Sequence, residues 1–210
     1  MASNKHGGHL GKVYEGGSPQ DIARLYDQWA GDYDGEMALA GYRHPAICLA
    51  MLARHLPRGA APLLDAGAGT GLVGEWLAIL GYGEVEALDI SAGMLAVAAQ
   101  KRVYRQLHKL ALGGPLPFAT GHFAAIISAG VFTTGHVGAE ALDELIRICA
   151  PGGVFVMTVK TTLWDGGFCD RIDALASANK ITIAERTQPY VSMPGETATM
   201  PSLCLVLKIA

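Results

Sequence analysis

The stretch that decides the fold runs from Leu63 to Gly71 and reads LLDAGAGTG. The apolar run Pro62–Ala66 is typical of a buried strand, and glycines follow it at the alternate positions 67, 69 and 71. Because glycine has no Cβ, the backbone can turn sharply here and approach a ligand closely. The stretch therefore predicts a strand that ends in a ligand-binding turn.

A helix and a second strand follow this turn. Apolar residues at helical spacing predict a helix over Leu72–Leu80, and Glu84–Asp89 reads as a strand that ends in an acid. The N–H groups at the start of a helix bind anions or carboxylates. A carboxylate at the end of the second strand can accept hydrogen bonds from both hydroxyls of a ribose. We therefore predict a site for a nucleoside cofactor, with Asp89 as its ribose ligand.

Two cofactors compete for this site. Gly69–Gly74 satisfies G-x-G-x-x-G, the dinucleotide pattern, which is weak alone because 27 of the 210 residues are glycine. The longer pattern begins at Asp65, whose charge would repel a pyrophosphate. An acid suits a ligand with an ammonium group and a carboxylate on one carbon, such as the methionine part of S-adenosylmethionine. Asp65 favours that cofactor, and an NAD(P)-dependent oxidoreductase remains the second enzyme hypothesis.

The chain resembles a known family over residues 25 to 210. Residues 63–71 resemble motif I of the class I S-adenosylmethionine-dependent methyltransferases, and more narrowly the chain resembles the methyltransferase-like family named after the Williams–Beuren chromosomal region. The further segments that carry the resemblance are YDxWAxxYD at 26–34, GYRxP at 41–45, DISxxML at 89–95, GVFTxGHV at 130–137 and PGG at 151–153. The resemblance implies S-adenosylmethionine as the cofactor and an N-terminal helix that closes over it.

The order of elements predicts an α/β fold with a Rossmann-like, doubly wound, seven-stranded sheet. Besides the two strands above, we expect strands at Gln106–Leu112, Phe123–Ala129, Val154–Val159, Ile181–Arg186 and Ser202–Ile209, and helices at Asp21–Tyr33, Pro45–His55, Ala92–Val103 and around Leu142–Cys149. The sheet should be mostly parallel, with an antiparallel last strand because no helix separates the final two. We expect a flexible tail over residues 1–20 and a single domain over 21–210, in which 21–58 form a helical cap.

Composition narrows the function classes. A formal net charge of −3 gives no general attraction to nucleic acid or to acidic membranes, so we expect a small-molecule methyl acceptor as the partner. The four cysteines form no C-x-x-C pair and read as free thiols in a reducing compartment, without a disulfide frame or a metal site. No signal core or run of membrane-spanning length appears, which predicts a cytoplasmic protein. The sequence does not set the oligomeric state.

The predicted site lies beyond the carboxyl ends of the strands. The expected cofactor-binding residues are Asp65, Ala66, Gly67, Gly69, Thr70, Gly71, Asp89, Ile90, Met94, Leu112 and Tyr33. The resemblance implies that Met94 lies against the adenine. The expected substrate-pocket residues are Tyr26, Tyr42, Arg43, Lys160 and Trp164.

A base is optional for methyl transfer, since the enzyme mainly aligns the nucleophile, the methyl group and the sulfur. His136 is the best candidate, because its pKa lies near working pH, and a supporting structural role is its alternative. Relatives often carry an acid for the adenine amine where this chain reads Lys109-Leu110-Ala111-Leu112. This departure keeps open a third hypothesis, a noncatalytic protein that binds S-adenosylmethionine.

Overall fold

The computed structural model describes residues 9, 11, 17–133, 135–196 and 199–210, and its centre is one seven-stranded sheet. The strand order is β3-β2-β1-β4-β5-β7-β6. Strands β1 to β5 run parallel, and β7 is antiparallel to both β5 and β6. This confirms the predicted fold class. The strands are β1 (Leu63–Ala66), β2 (Val85–Asp89), β3 (Gln106–Lys109), β4 (Phe123–Phe132), β5 (Cys149–Lys160), β6 (Ile181–Arg186) and β7 (Ser202–Ile209).

Helices cover both faces of this sheet. Side chains alternate between the faces along β5, so that Val154 and Val156 pack with the helices α3 and α4, whereas Phe155 and Met157 pack with α6 and α8. No helix in the described ranges is both long and apolar enough to span a membrane. The helices are α1 (Pro19–Trp29), α2 (Tyr33–Ala40), α3 (His44–His55), α4 (Leu72–Ile79), α5 (Ala92–Lys101), α6 (Leu142–Ile148), the short α7 (Thr161–Leu163) and α8 (Cys169–Ser177).

The N-terminal segment differs from the prediction of one helix over Asp21–Tyr33. Two helices, α1 and α2, replace it, with a turn between Trp29 and Tyr33. Helix α1 begins earlier than expected because Ser18 caps it: the Ser18 hydroxyl accepts from the Asp21 N–H at 3.2 Å, and the Asp21 carboxylate accepts from the Ser18 N–H. The chain therefore enters the fold as a helix pair.

Most of the predicted flexible tail over residues 1–20 lies outside the described residues. Parts of this segment that the structure describes are helical or packed. The His9 ring stacks on Trp29 with the ring centroids 5.8 Å apart, and Pro19 already belongs to α1.

Strand β3 ends at Lys109, short of the predicted Leu112, and β5 begins at Cys149, before the predicted Val154. Two further element ends differ for local reasons. Helix α5 stops at Lys101, short of the predicted Val103, because Arg102 adopts a left-handed conformation with φ of 56°. Strand β4 continues past the predicted end at Ala129 to Phe132, with a register shift between Ser128 and Phe132. Because of this extension, Gly130 and Val131 lie at the edge of the sheet where the ligand was expected.

Candidate cofactor and acceptor site

The glycine turn after β1 lies where the strand order reverses, between β1 and β4, which is the place for a ligand in an open α/β sheet. Gly67 has a φ of 80°, and its N–H donates to the Leu88 carbonyl at 2.7 Å. A Cβ on Gly67 would overlap the Val131 side chain on the neighbouring strand. Only glycine fits this position, both for its conformation and for the space around it.

Asp89, at the end of β2, is held by backbone groups. Its Oδ2 accepts from the Gly69 N–H at 2.8 Å, and its Oδ1 accepts from the Ser91 N–H at 2.9 Å. Burial raises the pKa of Asp89, and these backbone hydrogen bonds oppose that rise. A carboxylate oxygen can accept more than one hydrogen bond, so Asp89 retains acceptor capacity for a ligand.

A cavity of about 200 Å³ opens beside this turn, between α1, the glycine loop and the ends of β2 and β4. It brings together nine of the predicted site residues, which are Tyr26, Tyr33, Gly67, Gly69, Asp89, Ile90, Met94, Leu112 and His136. Sequence reasoning missed other lining residues. Val131 and Val137 lie in the segment 130–137, and its family resemblance could have identified them. Ile22 could have been identified from the amphipathic pattern of α1.

Asp65 does not line this cavity. It is fully buried, its Oδ2 accepts from the Tyr104 hydroxyl at 2.6 Å, and its Oδ1 has no partner among the described residues. Burial raises the pKa of Asp65 to about 7, against the lowering effect of the Tyr104 hydrogen bond. Asp65 therefore fixes the backbone below the turn, through Tyr104, without reaching the ligand space. Its predicted neighbours Ala66, Thr70 and Gly71 do not line the cavity either.

Tyr104 also explains why residue 74, the last glycine of the dinucleotide pattern, has no side chain. The Gly74 N–H donates to the Tyr104 hydroxyl at 3.1 Å, and a Cβ on Gly74 would overlap the Tyr104 ring. Gly74 is also absent from the residues that line the cavity. Its lack of a side chain makes room for Tyr104, so the geometry does not support a pyrophosphate contact there.

A second, smaller cavity of about 30 Å³ adjoins the first. The two share four residues, Tyr26, Tyr33, Gly130 and His136, so they meet at the base of α1 and α2. The remaining residues that line the smaller cavity are Trp29, Tyr42, His44, Thr133, Lys160 and Met193. It therefore contains two of the predicted substrate-pocket residues, Tyr42 and Lys160, in addition to Tyr26.

Two predicted pocket residues lie outside both cavities. Arg43 is exposed, and its guanidinium donates to the Val191 carbonyl at 3.5 Å. Trp164 packs beneath the guanidinium of Arg186, 5.7 Å from the ring centroid. Both residues are close in sequence to residues of the site, but neither lines a cavity. We leave both out of the proposed acceptor pocket.

His136 stands at the junction of the two cavities. Its Nδ1 is 2.8 Å from the Thr133 hydroxyl oxygen, and its Nε2 is 3.5 Å from the Tyr26 hydroxyl. If the ring donates through Nδ1–H to Thr133, Nε2 is left as the proton acceptor. That tautomer is the one that a general base would need.

The two N-terminal helices are tied to the rest of the site by two acids. The Asp27 carboxylate in α1 accepts from the Ser91 hydroxyl at 2.6 Å and from the Gly93 N–H at 2.8 Å, and these bonds lower the pKa of Asp27. In α2, Asp34 accepts from Lys101 at 2.7 Å and from the Thr70 hydroxyl. Helices α1 and α2 are therefore held over the glycine loop and the two ends of α5.

Comparison with known proteins agrees with this geometry. A sequence family described as "Methyltransferase domain" matches residues 64–157. Human methyltransferase-like protein 27 is 37% identical over 140 residues, which cover 65% of this chain and 57% of that protein. The dTDP-3-amino-3,6-dideoxy-alpha-D-glucopyranose N,N-dimethyltransferase of Streptomyces fradiae is 33% identical over 146 residues, which cover 65% of this chain and 52% of that enzyme. The chain thus spans between half and three-fifths of the length of these relatives.

Solved structures show the same fold. The [4+2]-cyclase SpnF superposes with a TM-score of 0.67 at 15% identity, over 92% of this chain and 97% of that one. A TehB-like S-adenosylmethionine-dependent methyltransferase from Corynebacterium glutamicum superposes with a TM-score of 0.64 at 21% identity, over 89% of this chain and all of that one (100%). Residues 64–157 therefore match a methyltransferase domain, and the chain has the same fold as solved structures that include an S-adenosylmethionine-dependent methyltransferase.

Proposed function

We propose that this protein transfers a methyl group from S-adenosylmethionine to a small-molecule acceptor. The observation that carries the proposal is the junction of the two cavities, where Tyr26, Tyr33, Gly130 and His136 border both. A methyl donor in the larger cavity and an acceptor in the smaller one would face each other there. Alignment of the two reactants in a closed pocket is the main task of such an enzyme.

The larger cavity fits the cofactor in three ways. Gly67 and Gly69 leave its wall without side chains, and Asp89 offers a fixed carboxylate for a ribose. Met94 and Leu112 give apolar surface for the adenine. When bound, S-adenosylmethionine supplies an electrophilic methyl group on a sulfonium. The residues of this chain would hold and orient it, and α1 would exclude water from it.

The acceptor side rests on His136 and the aromatic residues around it. In our proposal Thr133 holds the His136 ring, and Nε2 takes a proton from an acceptor that does not ionise by itself. A small acceptor suits the small volume of this cavity. The name of the Streptomyces fradiae relative also describes methylation of a small molecule, a nucleotide-linked amino sugar.

The two other functions that the sequence suggests remain as alternatives to this proposal. An NAD(P)-dependent oxidoreductase is disfavoured because Gly74 accommodates Tyr104. A noncatalytic binding protein is favoured by one observation, since Leu110, Ala111 and Leu112 offer no side-chain partner to the adenine amine. A fold shared with a [4+2]-cyclase does not by itself imply methyl transfer. We also retain a cytoplasmic location as a proposal, supported by four cysteines without disulfides, three of them buried.

The direct test is turnover. The purified protein is incubated with S-adenosylmethionine and a panel of small phenols, amines and carboxylic acids, and mass spectrometry follows S-adenosylhomocysteine and methylated products. We expect at least one acceptor to gain a methyl group in a reaction that requires both the protein and the cofactor. Cofactor binding without any methylated product across the panel would favour the noncatalytic alternative.

A further inference from the structure

Lys160, at the end of β5, is a buried cation beside the acceptor cavity. The residue lines the smaller cavity and is only 5% exposed. Its ammonium donates to the Met200 carbonyl at 2.8 Å and to the Ser192 hydroxyl at 3.3 Å. No carboxylate lies within ion-pair distance of it in the described part of the chain. An ammonium group has three donors, so one remains for a ligand.

This arrangement is unfavourable for the protein alone. A buried charge without a counter-ion loses the solvation that water gave it. Burial accordingly lowers the pKa of Lys160 to about 8, which still leaves the ammonium mostly protonated at neutral pH. An anionic group of a bound ligand would compensate the charge that the fold leaves unpaired.

The neighbouring histidine cannot act as a second cation. His44 is buried, and burial, together with the charge of Lys160, lowers the pKa of His44 to about 3. The neutral ring is held by the Tyr190 hydroxyl, 2.7 Å from its Nδ1. Among the described residues that line the smaller cavity, Lys160 is the only lysine, arginine or acid.

The rest of the cavity wall is aromatic. Tyr26 and Trp29 stack with their centroids 6.0 Å apart, and Tyr33 meets Trp29 edge-on at 4.8 Å. Tyr42 completes this side and packs edge-on against His44 at 5.3 Å. These rings pack against one another and make this side of the cavity wall apolar, which suits the uncharged part of a ligand.

We propose that the methyl acceptor is a small carboxylic acid whose carboxylate binds the ammonium of Lys160 while its apolar part lies against the aromatic wall of Tyr26, Trp29 and Tyr42. This rests on the proposed function, because it assigns the acceptor to the cavity that adjoins the cofactor. Lys160 is then a positioning residue: it fixes the acid at one end of the cavity and presents the opposite end of the molecule to the junction at His136.

Calorimetry on the protein saturated with S-adenosylhomocysteine tests this inference. The probes are matched pairs of similar shape that increase in size: propionate and propionamide, butyrate and butyramide, benzoate and benzamide. We expect at least one carboxylate to bind about tenfold or more tighter than its amide, the difference typical of a hydrogen bond to a charged group. The preference should disappear in Lys160→Met and persist in Lys180→Met, which removes an exposed lysine at the start of β6.

Lys160→Gln is the second variant, since it keeps a donor for the Met200 carbonyl but carries no charge. It should fold and lose the same preference, which a merely structural role of Lys160 would not require. If S-adenosylhomocysteine binds but no carboxylate is preferred over its amide, or if both Lys160 variants keep the preference, the inference is overturned and the proposed function is untouched. If S-adenosylhomocysteine itself does not bind, the proposed function fails, and this inference with it.

Discussion

The buried acid Asp65 gives the fold a pH dependence that can be measured without any ligand. Its carboxyl has an ordinary pKa of 3.8, and burial raises that pKa to about 7 in the folded protein. The folded state therefore keeps a proton on Asp65 between these values, whereas the unfolded chain has lost it. Because the folded state binds more protons in this window, stability falls as the pH rises from about 4 to about 7.

The magnitude follows from the size of this shift. A difference of about three pH units at about 1.4 kcal/mol each gives about 4 kcal/mol, a large part of the stability of an ordinary domain. Asp65→Asn has no proton to lose, so its free energy of unfolding should lack this fall. The free energy of unfolding of Asp65→Asn, relative to that of wild type, should rise by about 4 kcal/mol between pH 4 and pH 7.

Urea unfolding at four pH values from 4 to 7.5 measures this difference. Asp173→Asn, which removes an exposed carboxylate from α8, is the control and should follow the wild-type profile. Tyr104→Phe removes the hydrogen bond that lowers the pKa of Asp65, so its fall in stability should extend to higher pH. Parallel profiles of wild type and Asp65→Asn, within about 1 kcal/mol at every pH, would show that the pKa of Asp65 is not raised on folding.

Two further predictions concern the proposed site. Gly67→Ala should lower both stability and affinity for S-adenosylhomocysteine, because the φ at this position is 80° and the new Cβ would overlap Val131. The control Gly83→Ala should change neither, because no atom lies within 4 Å of its new Cβ. Equal melting temperatures of the two variants would contradict this packing argument. His136→Gln should slow methylation of an identified acceptor by about 10²-fold or more if the ring is the base, with His122→Gln as the exposed control. A rate within a few-fold of wild type would leave His136 a structural role.

The sheet and the cofactor side of the site could be predicted from sequence because their signals are local. Apolar runs mark the strands. Gly67 and Gly69 come just after β1, and Asp89 is the last residue of β2. A parallel sheet brings such ends together at one edge, so chain order alone placed these residues beside each other.

The partners of Asp65 and of the cap helices could not be found in this way. Tyr104 lies 39 residues from Asp65, and no local pattern indicates a hydrogen bond over that separation. The acid was interpreted as part of the ligand site, but its contacts lie behind the glycine turn. Arg43 shows a related difficulty: it adjoins the acceptor residues Tyr42 and His44 in sequence, yet its side chain faces solvent.

Calorimetric titration with S-adenosylhomocysteine, S-adenosylmethionine and NAD, on wild type and Asp89→Ala, distinguishes an S-adenosylmethionine site from a dinucleotide site. We expect that both adenosyl ligands bind to wild type and that NAD does not. We further expect that Asp89→Ala weakens their binding by about tenfold or more, since a charged hydrogen-bond acceptor for the ribose is lost. Binding of NAD, or an affinity for S-adenosylhomocysteine that is the same in wild type and Asp89→Ala, would contradict the assignment of this cavity.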